Sequence, residues 1–528
     1  MSTADSEPAL NLLDVAWIPV RLRGGHVIDV GLLEFFSRAH DIEGLAETSP
    51  PNLIALHRLL LAIVHRALCL NPGHWTDADR ARWWREGLPV ALIHAYLETW
   101  RDRFWLFHPT HPFMQVAALA QAEETRDKLK PWTQVALASA NGNAPVVFDH
   151  ALDGQPAHID PLVLLRQLLG FLQFTPGGLV KVFRSADKAG PLVNTAAVLP
   201  QGRTLHETLL MGLHPHSASS VRDLPSWERT PPDIAALTVD PLPATGPCDR
   251  YSRLSRAVLL VAADEAGVQP LRWVRFGAGV ALMEDDAAPD PMSSYRAGST
   301  HLVRLNFAEG KAAWRDLGAL LPDATGTAAQ PAAVLSWAVN LLMALDVDDC
   351  DVPVLLAGLT SDQAKLVRWR CEHFRLPVAA LSRADMAQLV REALTLAEST
   401  YKELRQVVAQ MLARTLPDPA SKETYERARD MVSRGPVTNA YFTVAERALP
   451  QWLVRVGRSE IDEASAEWNR VLLRACQNAW QTSLAQLGTS TAALRAQAQL
   501  HHRYQQLLKP LRDLAAEPAT PSIEESTP

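Results

Sequence analysis

The stretch of this sequence best shaped for a task is uncharged at its centre. Residues 357–370 read AGLTSDQAKLVRWR. Val352, Val354, Leu355 and Leu356 run into Gly358, the polar residues Thr360, Ser361, Asp362 and Gln363 follow, and Leu366 and Val367 resume the apolar run. Short apolar runs broken by glycine and small polar residues predict strand, turn, strand. Gln363 then stands on a rigid support. Its amide can hydrogen-bond base edges, and can enter between stacked groups without the cost of desolvating a charge. The same pattern also describes an ordinary solvent-facing hairpin tip.

Three other places carry residue types with chemical potential. Helix Asp160 to Phe174 ends at Gly177-Gly178, with Lys181, Arg184 and Lys188 following. Paired glycines let a backbone approach a groove or phosphate closely, and cations nearby suit that partner. Paired glycines also simply stop helices. No Walker-type GKS or GKT is present, so nucleotide hydrolysis is not supported. In NGNAPVVFDH (141–150) the apolar tip Val146-Val147-Phe148 is either a strand fragment or a finger that docks into a partner. His108 and His111 sit at metal-ligand spacing in FWLFHPTHPFMQ, but Pro109 and Pro112 break any helix that would align them. A packed loop is expected there. A hydrolase built on His108, His111, His150 or the His501-His502 pair lacks a nucleophile–base–acid order, so no enzyme is expected.

The elements that must position these groups are legible in outline. Residues 10–21 (LNLLDVAWIPVR) followed by Gly24-Gly25 predict a first hairpin. Apolar spacing of three and four predicts helices over 31–39, 51–70 and 89–104. Asp160-Pro161 supplies a cap and a first-turn proline for the helix before the glycines. Seven prolines between Pro215 and Pro247 mark a meandering connection. Strands are expected over 255–262, 271–283 and 301–307, with DPMSSYR (290–296) as a turn, and helices over 312–321 and 332–345. From Ser382 the texture changes. Ser382 and Asp385 resemble a capping box, and long amphipathic stretches run to Leu514, punctuated by Pro417-Asp418-Pro419, Gly435-Pro436, Gly457 and Gly488. The fold class expected is therefore α+β. A mixed domain with short sheets and helices spans 10–381, and a bundle of four main helices plus a shorter one spans 382–514. Residues 1–9 are expected to be flexible, and the tail 515–528 disordered.

Composition bounds the function. The chain has 528 residues, 48% hydrophobic and 21% charged, which suits more than one globular core. Its net charge of −7 does not advertise nucleic-acid binding, so any basic footprint must be local. Only nine of the 51 basic residues are lysines, and high arginine use fits phosphate contacts or genome composition equally. Five cysteines lie far apart with no CxxC pair, which fits a reducing cytoplasm and argues against a disulfide scaffold or cysteine-based zinc knuckle. No signal peptide is visible. The apolar stretch 53–64 is interrupted by His57 and Arg58 and reads as too short to span a bilayer.

Taken in order, these landmarks resemble the CasA family, the large subunits of the type I-E CRISPR surveillance complex Cascade. The resemblance rests on LNLLDVAWIPVR, HPFMQ (111–115), the 146–148 finger, Gly177-Gly178, GPCDRYSRLSR (246–256), DPMSSYR, GLTSDQAKLVRW, and AYFTVAERALPQWL (440–453) entering the bundle. It runs from about Leu10 to Arg512. It implies that Gly177, Gly178 and Leu179, with Lys181 beside them, read the short motif next to the target (the PAM) from the minor groove of double-stranded DNA. Gln363, with Ser361 and Asp362, stands where a wedge parts the duplex. Val146, Val147 and Phe148 stand where the subunit anchors near the guide RNA. The implied partners are guide RNA, the backbone and small subunits, target DNA and the CRISPR helicase-nuclease, with no membrane and no cofactor. Some relatives hold zinc with two CxxC pairs. This chain lacks both, so no such zinc is expected. A lysine that reads the motif in some relatives has no counterpart around 275–279. A helical scaffold without DNA recognition is the alternative reading.

Overall fold

The computed structural model describes residues 10–515 except 138, 140–153, 179, 186, 264–268, 348–349 and 363–364. The side chains of 360–368 are also outside the description. The chain divides into two compact units. One comprises Met1–Ala313, Thr327–Asp348 and Val352–His373; the other comprises Trp314–Gly326, Asp349–Asp351 and Phe374–Pro528.

The first unit contains small antiparallel sheets around a buried helix. Ile18–Leu22 pairs with Val27–Val30 and with Ile42–Leu45, so the expected first hairpin is present and gains a third strand. Helix Pro50–Leu70 is buried at every residue but Leu53 and Leu70. By length and composition alone it could cross a membrane, which corrects the expectation that this stretch is too short, but its sides are taken up by protein. His57 and Arg58 do not interrupt it. His57 Nδ1 lies 2.8 Å from the Leu53 carbonyl, and the Arg58 guanidinium pairs with buried Asp290 and lies over the Tyr251 ring at 4.4 Å. Burial pushes the Asp290 carboxyl up, but Arg58 and Arg250 outweigh it and hold it below the usual range.

Arg66 grips Glu228 with two bonds of 2.8 and 2.7 Å, and Arg80 donates to the carbonyls of Leu210 and Trp337. Part of the arginine excess is therefore structural: planar forks tie loops to the core where a lysine could not.

Several elements depart from expectation. Helix Asp77–Glu86 was not anticipated because its composition is charged; a reciprocal Thr76–Asp79 capping box starts it. DPMSSYR is not only a turn, because Tyr295–Ala297 forms the central strand between Leu302–Arg304 and Ala329–Gln330. The segment expected as a helix over 312–321 is a 3₁₀ helix, Ala313–Leu320.

In the second unit the helices are Val378–Ser382, Ala384–Ala413, Lys422–Arg434, Pro436–Gly457, Ile461–Leu487 and Thr491–Ala515. Four exceed twenty residues and Lys422–Arg434 is shorter, as the apolar periodicity implied. Three large indole and phenol donors are satisfied across the core, while buried Trp314 Nε1 has no partner among the described residues. Trp468 Nε1 donates to the Ala393 carbonyl at 2.8 Å, Trp452 Nε1 to Ala464 at 2.8 Å, and the Tyr441 hydroxyl to Ala397 at 2.9 Å. Ser382 caps nothing. Its hydroxyl donates back to the Val378 carbonyl, and the long helix is entered through Arg383, whose guanidinium holds Asp385. A short helix ahead of the long one consumed the residues that looked like a cap.

Candidate nucleic-acid interface

The glycine loop grows out of helix Pro161–Phe174. Asp160 caps that helix as expected, accepting from the backbone nitrogens of Leu162 and Val163, and Thr175 closes it through a 2.9 Å bond to the Phe171 carbonyl. The chain then makes an excursion and returns. Gly178 and Asp187 exchange backbone bonds of 3.0 and 3.2 Å, and the Gly190 nitrogen donates to the Thr175 carbonyl at 2.8 Å. Gly178 is exposed with φ of +123°, a conformation other residues adopt only with strain. A Cβ at Gly177 would come within 3.2 Å of the Ala189 nitrogen. Lys181 and Lys188 are exposed on the same excursion, and Leu179 lies outside the described residues.

A buried charge pair holds the base of this loop. The Arg256 guanidinium donates to the carbonyls of Pro176 (2.6 Å) and Lys188 (2.5 Å) and lies 3.0 Å from the Asp187 carboxylate. Both side chains are buried, Arg256 at the start of strand Arg256–Leu260 and Asp187 on the returning limb. Burial pushes the Asp187 carboxyl up and Arg256 opposes it only in part; burial likewise lowers the Arg256 guanidinium. The pair is therefore costly to keep dry, and what it gains is a fixed loop. Phe183, between the two lysines, has φ of +73°, which is rare for an aromatic residue and persists only where the surroundings impose it. Arg184 donates to the Val239 carbonyl, so it braces the loop instead of facing out as a free cation.

The ribbon of the opening motif is longer than the sequence suggested. Strands Asp351–Asp362 and Lys365–Pro377 lie side by side, and the first also pairs with Ala196–Pro200, with Leu356 opposite Val198 and Gly358 opposite Ala196. Gly358 is required there, since a Cβ would lie 2.2 Å from the Thr195 carbonyl oxygen. Arg370 braces the second strand: it donates to the carbonyls of Ala308 and Lys311, pairs with Glu372 and lies over the Phe307 ring at 4.8 Å. Ser361 and Asp362 end the first strand. Gln363 lies outside the described residues, as does the finger Val146-Val147-Phe148.

One continuous segment carries both features. Residues 175–190 form the glycine loop, and after Leu192, whose nitrogen donates to the Gln173 carbonyl, the chain enters the strand on which the ribbon is built. Sequence reading found both glycines and the ribbon but not Asp187 and Arg256. Arg256 stands within GPCDRYSRLSR, yet nothing about its spacing points to a carbonyl 80 positions away.

In the second unit, a cleft of about 390 Å³ is lined by Arg455, Glu467, Arg470, Leu473 and Arg474. Arg470 and Arg474 are exposed one helical turn apart. His108 and His111 lie in a half-buried loop, as expected, but the prolines do not keep them apart: with Asp102 their potential ligand atoms all lie within 4.8 Å of one another. Their rings stack at 3.5 Å, His108 Nδ1 accepts from the backbone nitrogens of Thr110 and His111, and His111 reaches Asp102 at 2.6 Å.

The family described as CRISPR-associated protein Cse1 matches this chain over residues 11–479. The chain belongs to the Cse1 (CasA) family. The CasA/Cse1 protein of Thermus thermophilus is 33% identical over 510 residues, covering 94% of this chain and 97% of that protein. The solved structure of Thermus thermophilus CasA (Cse1) superposes with a TM-score of 0.81 at 30% identity, over 95% of this chain and all of that one. A chain of a solved CRISPR RNA-guided surveillance complex shares the fold at a TM-score of 0.71 and 20% identity, over 96% of this chain and 100% of that one. For a Cse1-family chain, an α+β unit followed by a helical bundle is the shared architecture, and the glycine loop and the ribbon from Val352 to His373 belong to its first unit.

Proposed function

We propose that this chain is the large subunit of an RNA-guided type I-E CRISPR antiviral complex and acts without catalysis of its own. Its role is to recognise the PAM in double-stranded DNA, to help open the duplex for guide pairing, and to help recruit the helicase-nuclease. The observation that carries the reading is the glycine loop. An exposed backbone excursion, pinned at its base by a buried Arg256–Asp187 pair and flanked by Lys181 and Lys188, suits close approach to a minor groove with phosphates alongside. Gly177, Gly178, Leu179 and Lys181 read the motif in this account. Ser361, Asp362 and Gln363 part the first base step, and Val146, Val147 and Phe148 dock the subunit near the guide RNA.

The acidic net charge agrees with this division of labour. Base pairing with the guide reads the sequence, so the protein needs few contacts rather than a basic surface. The bundle abuts the small subunits, and in its cleft Arg455 is held by Glu460 and Glu467, which leaves exposed Arg470 and Arg474 to face displaced DNA.

Strand separation tests the wedge. Gln363→Ala should lower the rate and extent of opening on a linear target while affecting initial motif contact less. Negative supercoiling should rescue it partly, and a pre-opened bubble beside the motif more fully, because the cost of unstacking, a few kcal/mol, is already met. The same defect on bubble and intact duplex would make Gln363 a contact or turn residue instead.

A further inference from the structure

The first unit also holds a buried cluster that the nucleic-acid reading does not use. His65 and Cys69 lie one turn apart on helix Pro50–Leu70, His214 follows helix Leu205–Gly212, and Cys248 sits in the first turn of helix Pro247–Ser252. All four are buried. The Cys69 sulfur is 3.5 Å from His65 Nδ1, and so is the Cys248 sulfur. The potential ligand atoms of His65, His214 and Cys248 all lie within 4.8 Å of one another. The His65 and His214 rings stack at 3.3 Å, and neither nitrogen of His214 has a hydrogen-bond partner among the described residues.

An imidazole with two unsatisfied buried nitrogens is costly, and nothing in the nucleic-acid reading accounts for it. A metal ion does. Zinc bonds of about 2.0 Å to nitrogen and 2.3 Å to sulfur, set tetrahedrally, place those donors about 3.5 Å apart, which is the sulfur–nitrogen spacing seen here.

We propose that His65, His214 and Cys248, with the neighbouring Cys69 as fourth ligand, form a closed structural zinc site that ties three helical segments of the first unit together; loading the ion turns the stacked His65 and His214 rings apart, because rings stacked this closely cannot both aim a nitrogen at one tetrahedral centre. Two thiolates balance the charge of the ion, so the loaded site is neutral in its dry setting. Two thiols become thiolates on binding, so loading the site releases two protons. Asp223 fixes the Cys248 backbone from outside the set, accepting its N–H at 2.7 Å. The set uses neither paired cysteines nor the His108–His111 spacing.

The test is metal content and cobalt spectroscopy on the full chain. Protein expressed in zinc-supplemented medium and purified without chelator should carry about one zinc per chain. After stripping and reloading with Co²⁺, it should show a thiolate-to-cobalt charge-transfer band, which needs no variant to interpret. Cys248→Ser should abolish the band and cut zinc content about tenfold. Two controls should keep both: His108→Ala/His111→Ala, and Cys371→Ser, which removes the exposed sulfur lying 3.9 Å from His373. Metal-free wild type with no band on Co²⁺ addition overturns the proposal, as does a band that survives Cys248→Ser or is lost in either control.

Discussion

Replacing Val146, Val147 and Phe148 together with Asp should strip the subunit from its complex while leaving its own fold intact. Apolar anchors of this size contribute about 2 kcal/mol or more each at an interface, and such terms do not add simply. Even so, a loss of at least about a hundredfold in affinity for the remaining subunits and guide RNA is expected, since each decade is about 1.4 kcal/mol. Co-purification with tagged partner subunits measures the loss, and thermal melting of the isolated chain checks the fold. A triple variant that co-purifies normally removes the finger from the account.

Arg256→Met should damage both stability and motif reading, and the two effects can be separated. The side chain links the carbonyls of Pro176 and Lys188, on the two limbs of the glycine loop, and pairs with Asp187. Its loss leaves a carboxylate buried and unpaired, which costs on the order of 3–5 kcal/mol. Arg256→Met/Asp187→Leu removes both charges and should recover most of the melting temperature, because replacing both members of a buried pair by apolar groups is often close to neutral. The carbonyl ties to Pro176 and Lys188 remain broken. The double variant in the assembled complex should therefore still discriminate poorly between duplexes with and without the motif. Full recovery of discrimination alongside stability would show that Arg256 serves the fold and not the loop's shape.

These expectations rest on features of unequal legibility. The ribbon could be read because its strands are apolar runs broken by small polar residues, and the helix before the glycines because Asp160-Pro161 is a cap with a local signature. Helix Asp77–Glu86 was missed because its start signal, Thr76 with Asp79, stands in a charged stretch without an apolar stripe. Ser382 misled for the opposite reason: a cap-like pair was present, but a short helix had already used the serine. The partners that organise the site were invisible for a different reason. Arg256 and Pro176, or Cys248 and His65, meet only through the tertiary fold, so no spacing rule brings them together. Burial also hid the role of the arginines. Arg58, Arg66 and Arg80 look in sequence like solvated or phosphate-facing charges, yet each is enclosed with its own acceptors.

The claim that this chain reads a duplex motif through the glycine-loop backbone is tested most directly by one affinity ratio. The complex assembled with wild-type chain is compared with complexes carrying Gly177→Leu or Gly178→Leu, on a duplex bearing the motif and on one lacking it. In this account a side chain at either glycine blocks close approach, while exposed Lys181 and Lys188 keep their charges for the proposed phosphate contacts. The account predicts that affinity for the motif duplex falls on the order of tenfold or more, about 1.4 kcal/mol, while affinity for the motif-free duplex hardly changes. Equal losses on both duplexes, or an unchanged ratio, would contradict it.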